Sequence, residues 1–329
     1  MSADKTTPGR QACGVDTHPG AHMTRKGWLL FTAMAVIWGI PYLFIKIAIR
    51  ELDPTVVVWI RVGIAALVLL PIALQRGALR KVRAHWPLIA ALACIQIIGP
   101  FLLITYGEQH ITSSLTSLLI AADPLLVMLF AQLIDPGERV TRLRLLGLLI
   151  GMSGVITLLG LDIGGDAQRL LGAGLVLLAT MAYAISALLI KRPGIATLPG
   201  LGVVTVECLT TTIVLLPLAA IRLPARFPGG DVVASLLVLG LLCTALAYVL
   251  FFALVSEIGA GRATVITYVN PAVSVLLGVL LLGEPLNPPI AVGFLLIIVG
   301  SWLSTGGAFP ARTGHHSPAL HLQDAPGEP

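Results

Sequence analysis

The run LIAADPLLVMLFAQLIDPGE, residues 119–138, returns as ITYVNPAVSVLLGVLLLGE, residues 266–284. Asp123-Pro124 matches Asn270-Pro271 at an offset of 147, and Gly137-Glu138 matches Gly283-Glu284 at 146. One extra residue in the first copy, at Asp135-Pro136, accounts for the change. Further out, Leu69-Leu70-Pro71 returns as Leu215-Leu216-Pro217, Gly147 and Gly154 as Gly293 and Gly300, and Ser113 as Ala260. A repeat of this length in so apolar a chain points to a membrane transporter more than to any other class.

Composition sets that context. Of the 329 residues, 57% are hydrophobic and 11% charged, with a mean hydropathy of +0.94. A soluble domain carries about a quarter charged residues. The apolar runs are continuous, without the alternation of a β-barrel, so the fold class is all-α integral membrane. Cys94, Cys208 and Cys243 fall in apolar runs and Cys13 in a polar stretch, which reads as packing rather than a disulfide framework.

Ten spans are predicted, at 28–49, 55–74, 86–106, 111–134, 143–161, 170–190, 199–221, 231–254, 260–282 and 289–304. Each approaches the roughly 20 apolar residues that cross about 30 Å of hydrocarbon. Fifteen Lys and Arg of tails and loops fall on one face and four on the other, which places both termini in the cytoplasm. The net charge of +5 is therefore a topology signal with anionic lipids as its partner, not nucleic acid. Residues 1–26 have no apolar stretch and read as a disordered cytoplasmic tail, not a signal peptide. Residues 305–329 read as a second such tail. His315, His316 and His321 there are taken as solvated, not as metal ligands.

The first repeat is assigned to residues 27–161 and the second to 162–304, with five spans each. An odd number makes the second copy enter the membrane from the opposite side, giving inverted topology. One architecture can then open to either face by exchanging the conformations of its halves.

These residues resemble the EamA family of the drug/metabolite transporter superfamily. The features are Trp38-Gly39 with Lys46, then Arg61, then Tyr248 and Phe252-Ala253-Leu254 leading to Ala260. Pro124 and Pro271 lie mid-span, each followed by Gly-Glu and a Gly-rich helix. The likeness covers residues 28–304. It implies a ten-helix inverted-repeat transporter of small metabolites, often an exporter. The second copy departs from it, because Tyr183 and Ala184 occupy the places of Trp38 and Gly39, while Lys46 recurs as Lys191. This divergence allows a one-sided binding role at the first helices.

An ionisable side chain at mid-membrane costs about 2.5–3.5 kcal/mol on insertion scales and calls for water, a partner or a function. Lys46, Arg61, Asp123 and Glu207 qualify. Asp123 and Asn270 precede the helix-breaking Pro124 and Pro271. They are candidates for a midplane site where a carboxylate contacts substrate or exchanges a proton; the alternative is a structural hydrogen bond. Arg61 and Glu207 are repeat-equivalent, and inversion sets them at different depths, so direct pairing is not expected. Arg61 can meet a substrate carboxylate or anchor packing. Glu207, with Thr210 and Thr211, can line a wet face. Trp38, Tyr42 and Lys46 recur every four residues as one stripe, facing a cavity or, for Lys46, snorkelling to the interface. Gln96, Tyr106, Tyr248, Thr264, Thr267 and Ser274 are weaker candidates for polar lining. Glu138 and Glu284 read as interfacial, shaping loops.

The reading is a multi-pass cytoplasmic-membrane secondary transporter of a small polar metabolite, such as an amino acid, working by alternating access. No cofactor is expected. The alternative of an integral-membrane enzyme calls for a nucleophile–base or metal constellation, and the spans contain no His-Glu-x-x-His or clustered His/Asp ligands; a phosphate-binding Gly-rich loop is also absent. A non-transporting membrane subunit is the other alternative. Oligomeric state is open.

Overall fold

In hydrocarbon no water satisfies backbone N–H and C=O groups, so a continuous apolar run spans as a helix. The computed structural model describes residues 24–134, 141–160, 167–259, 263 and 265–304, and among these every regular element is helical. The tails, Asp135-Pro136, Gly137-Glu138, Ala260 and Thr264 lie outside the described residues. The helices are α1 (Arg25–Gly39), α2 (Pro41–Ala48), α3 (Pro54–Gln75), α4 (Ala78–Gly107), α5 (Ser113–Ile120) and α6 (Asp123–Ile134). They continue with α7 (Arg142–Gly160), α8 (Ala167–Ile190), α9 (Gly200–Ala220), α10 (Gly230–Ile258), α11 (Ile266–Leu282) and α12 (Pro288–Ser304). Seven stretches among the described residues are long and apolar enough to cross a membrane: α1–α2 together, α3, α4, α5–α6 together, α8, α9 and α10. The helices α11 and α12 are shorter and apolar.

The interruptions have local causes. Ile40 separates α1 from α2 just before Pro41, which has no N–H to continue the ladder. Ala121 and Ala122 separate α5 from α6 just before Asp123-Pro124. The matching expectation for Pro271 is corrected, because α11 runs through it unbroken. Asn270, just before it, also makes bonds that Asp123 cannot. Its amide nitrogen donates to Ile266 O (2.9 Å) and to Ala35 O of α1 (3.0 Å), where an ionised Asp has no proton to give. Within α4, Cys94–Ile98 is π-helical, and within α10 so is Val238–Leu246. Moving the first segment on by 146 residues places it inside the second.

Equivalent helices of the two copies pack antiparallel. A Cβ on Gly147 of α7 would come within 2.7 Å of Gly300 O, and one on Gly154 within 2.8 Å of Gly293 O. The start of α7 thus meets the end of α12, and the reverse, through glycine-to-glycine backbone contact. α3 and α9 repeat the arrangement. Trp59 Nε1 donates to Thr212 O (3.1 Å), whereas Ala78, past the end of α3, lies against Gly202 at the start of α9. At one end Asp53 caps α3 by accepting from Thr55 N (2.8 Å), and Arg222 Nη1 donates to Asp53 Oδ2 (3.0 Å) and to Tyr106 OH (2.6 Å). At the other, Thr24 and Lys26 of the first helix hold Glu257 of α10 at 2.8 and 3.0 Å.

Two tests follow from these contacts. Gly300→Val forces side-chain atoms onto the Gly151 backbone and should cost about 1–3 kcal/mol, read as a lower thermal midpoint of the purified protein. Gly174→Ala, which meets open space, should leave the midpoint unchanged. Burial would raise Asp53, but Thr55 and then Arg222 outweigh it and hold the carboxyl below its usual range. A depressed carboxylate stabilises above its unfolded value of about 3.9, and that stabilisation is lost as pH falls through the lower folded value. Thermal midpoints should therefore favour wild type over Asp53→Asn at neutral pH and converge in acid.

Candidate functional site

Between the two copies lies a cavity of about 380 Å³. Its walls repeat. Trp38, Pro41, Tyr42 and Ile45 of the first span line it, and so do Tyr183, Ser186, Ala187 and Ile190 of α8, each 145 residues further on. Both first helices therefore face the cavity, whereas the divergence of their sequences allowed a one-sided arrangement. Asp123 and Asn270 line it as an equivalent pair, as do Ile120 and Thr267. The π-helical segments add Gln96 and Cys243, and the turns after them add Phe101, Tyr248 and Phe251. A π segment displaces the residues that follow it around the helix and often marks a functional site.

Packing sets these positions. Gly39 brings α1 against α11, where a Cβ would stand 2.9 Å from Asn270 O and closer still to Val273. Trp38 then meets Phe251 at 5.0 Å between ring centroids and Tyr248 edge-on at 6.4 Å. One wall of the cavity is thus an aromatic cluster.

Two ionisable groups of opposite sign sit in this mostly apolar lining. Arg61 is buried, its guanidinium 4.1 Å above the Phe101 ring centroid, and its Nε donates to Thr244 Oγ1 (2.9 Å). Among the described residues no carboxylate pairs with it. The Asp123 Oδ1 is buried and has no hydrogen-bond partner. The arrangement offers a planar donor fork for an anion and a carboxylate for a cation or proton.

Glu207 lies elsewhere. It is fully buried in α9, outside the lining, and both its carboxylate oxygens lack partners. Thr211, also buried, turns back to donate to the Glu207 carbonyl (2.8 Å). Lys46 also leaves the cavity. Its ammonium donates to Glu108 O and to Ile111 O (2.8 Å). Tyr106 belongs to the Asp53–Arg222 cluster, and Ser274 is buried away from the lining.

Lys46 instead lines a second cavity, of about 470 Å³, with Arg50, Glu108, Thr112 and Glu284. Glu284, just past the end of α11, is buried and fully bonded. It accepts from Ser113 N and Oγ (both 2.8 Å), from Ser114 N (2.9 Å) and from Ser114 Oγ, capping α5 from 170 residues away. Glu108 escaped sequence reading because Glu108-Gln109-His110 resembles a polar loop. Tyr183 was marked only by its offset from Trp38.

A crystal structure matches 85% of this chain and 96% of its own, with a TM-score of 0.61 and 21% identity, and so shares the fold. The uncharacterized transporter YvbV of Bacillus subtilis is 26% identical over 82% of this chain and 88% of its own. The uncharacterized inner membrane transporter YedA of Escherichia coli is 28% identical over 85% and 91%. A probable terminal-alkyne amino-acid exporter of Streptantibioticus cattleyicolor is 28% identical over 85% and 93%. The model of the EamA-like transporter family matches twice, at residues 25–160 and again at 170–306, once for each copy that walls the cavity. This multi-pass membrane chain, built of two such copies, belongs to the EamA-like transporter family.

Proposed function

We propose that the chain is a secondary transporter that exports a small zwitterionic metabolite of the amino-acid class across the cytoplasmic membrane by alternating access. The observation that carries this reading is the cavity between the copies, where Arg61 and Asp123 are the charged groups of an otherwise aromatic, aliphatic and neutral-polar wall. A zwitterion has the complementary pair. Its carboxylate suits the Arg61 fork, its ammonium suits Asp123, and its side chain suits the aromatic cluster. The name of the amino-acid exporter relative supports the substrate class.

The scaffold has ten spans in two five-helix inverted repeats, residues 27–161 and 162–304, with both termini in the cytoplasm. Antiparallel contact between equivalent helices supports the inversion. The bias of Lys and Arg supports the orientation, with anionic lipid on the basic face. In this arrangement Lys46 and Glu284 lie at the outer end. There they tie the first span to the end of α4, and the chain after α11 to the start of α5. Lys191, the counterpart of Lys46 at the inner end, is exposed and has no such tie among the described residues. Asp123, at the midplane, is the candidate for exchanging a proton against substrate.

Flux in sealed vesicles holding the purified protein tests this. A panel of labelled amino acids should reveal protein-dependent movement of at least one, and Arg61→Gln should lower it at least about tenfold, the loss of one charge-assisted pair. No flux across the panel contradicts the reading. An unchanged pH dependence in Asp123→Asn removes the proton step and leaves transport.

A further inference from the structure

The outer cavity contains a group the transport reading does not use. Glu108 follows the last turn of α4 and lines the cavity, yet its side chain is fully buried and neither carboxylate oxygen has a hydrogen-bond partner. The charges facing it are Lys46 from α2, Arg50 beyond α2, Glu284 after α11 and, more distantly, Arg61 of α3. His110, two residues on, packs instead against Gly172 of α8. Glu284 is saturated by its four donors at Ser113 and Ser114. Lys46 spends its ammonium on the Glu108 and Ile111 carbonyls and forms no ion pair with the Glu108 carboxylate.

An ionised carboxylate buried without a donor costs several kcal/mol. The same group carrying a proton is neutral and tolerates the site. A metal cation is a poor occupant, since the Lys46 ammonium already holds the neighbouring carbonyls. We propose that Glu108 is a proton-binding site that latches the outer end of the pathway: its protonated form leaves Lys46 on the Glu108 and Ile111 carbonyls, and its deprotonated form draws Lys46 away and releases them.

The consequence follows from the chain path. Ile111 and Glu108 bracket the link from α4 to α5, and α5 carries Ser117 of the central cavity. While Lys46 holds both carbonyls, the first span is fastened to that link beside Ile45 and Ile104 of the central cavity's wall. Once an ionised Glu108 takes the ammonium, nothing from α2 holds the Ile111 carbonyl. Acid outside thus closes this end, and alkaline conditions free it. The sense of the latch rests on the transporter topology proposed above, whereas its chemistry does not.

Thiol labelling separates the two. Ser117→Cys, in a background whose four native cysteines are replaced, reports access to the central cavity. Vesicles of known orientation receive an impermeant thiol reagent on each face in turn. From the face bearing Glu108, labelling corrected for intrinsic thiol ionisation should rise about tenfold between roughly pH 5 and pH 8. Adding Glu108→Gln should hold it at the slow rate at every pH, and Lys46→Met at the fast rate. Glu108→Asp should keep a response with a moved midpoint, which also covers any failure of Glu108→Gln to reach the membrane. A wild-type pH response in Glu108→Gln, an unmoved midpoint in Glu108→Asp, or a response that disappears with Glu284→Gln or Asp123→Asn instead would overturn the proposal. A response confined to the opposite face would contradict the topology and leave the latch standing. No substrate is needed, so failure here is distinct from failure of the flux experiment.

Discussion

A backbone group left unpaired in hydrocarbon costs several kcal/mol, and the rest of this structure depends on how the chain meets that constraint. Unbroken helices satisfy it without help. The interruptions within the spans fall where the two copies wall a cavity: at Ile40 before Pro41, at Ala121 and Ala122 before Asp123, and at the π-helical turns holding Gln96 and Cys243. Irregular backbone at membrane depth is tolerable where it lines a cavity or is buried in protein, and that is where it occurs here.

The repeat supplies a frame, and the side chains make it unequal. Trp38, Pro41, Tyr42 and Ile45 have counterparts facing the same space from α8, so the geometry is shared by both copies. Charge is not shared. Arg61 faces the cavity while Glu207 is packed away, and Asp123 stands opposite the neutral Asn270. Asn270 also binds Ala35 of α1, which fastens the second copy's fourth span to the first copy's first span. Asp123 has no equivalent tie among the described residues. The group free to meet a ligand is therefore on one side only.

Much of the fold was legible because it rests on local chemistry. Continuous apolar runs marked the spans, and constant offsets marked the copies. What escaped depends on distant partners. Glu284 reads as a loop-shaping charge, and only the fold reveals Ser113 and Ser114 as its donors, while Pro271 reads as a break and the helix runs through it. Glu108 sits among loop-like residues, yet it is buried and shares a cavity with residues of the first span and of the chain after α11. Substitution of Trp38 and Gly39 by Tyr183 and Ala184 in the second copy looked like loss of a site, yet Tyr183 keeps its place in the wall.

The central claim is that the two copies face opposite ways. Arg80 and Arg226 are 146 residues apart, both exposed, and occupy equivalent positions just after the second span of each copy. Cysteines introduced singly at these positions, in intact cells treated with an impermeant thiol reagent, test it most directly. The account predicts that Arg226→Cys reacts from outside and Arg80→Cys only after permeabilisation. Reaction of both from the same face would contradict it.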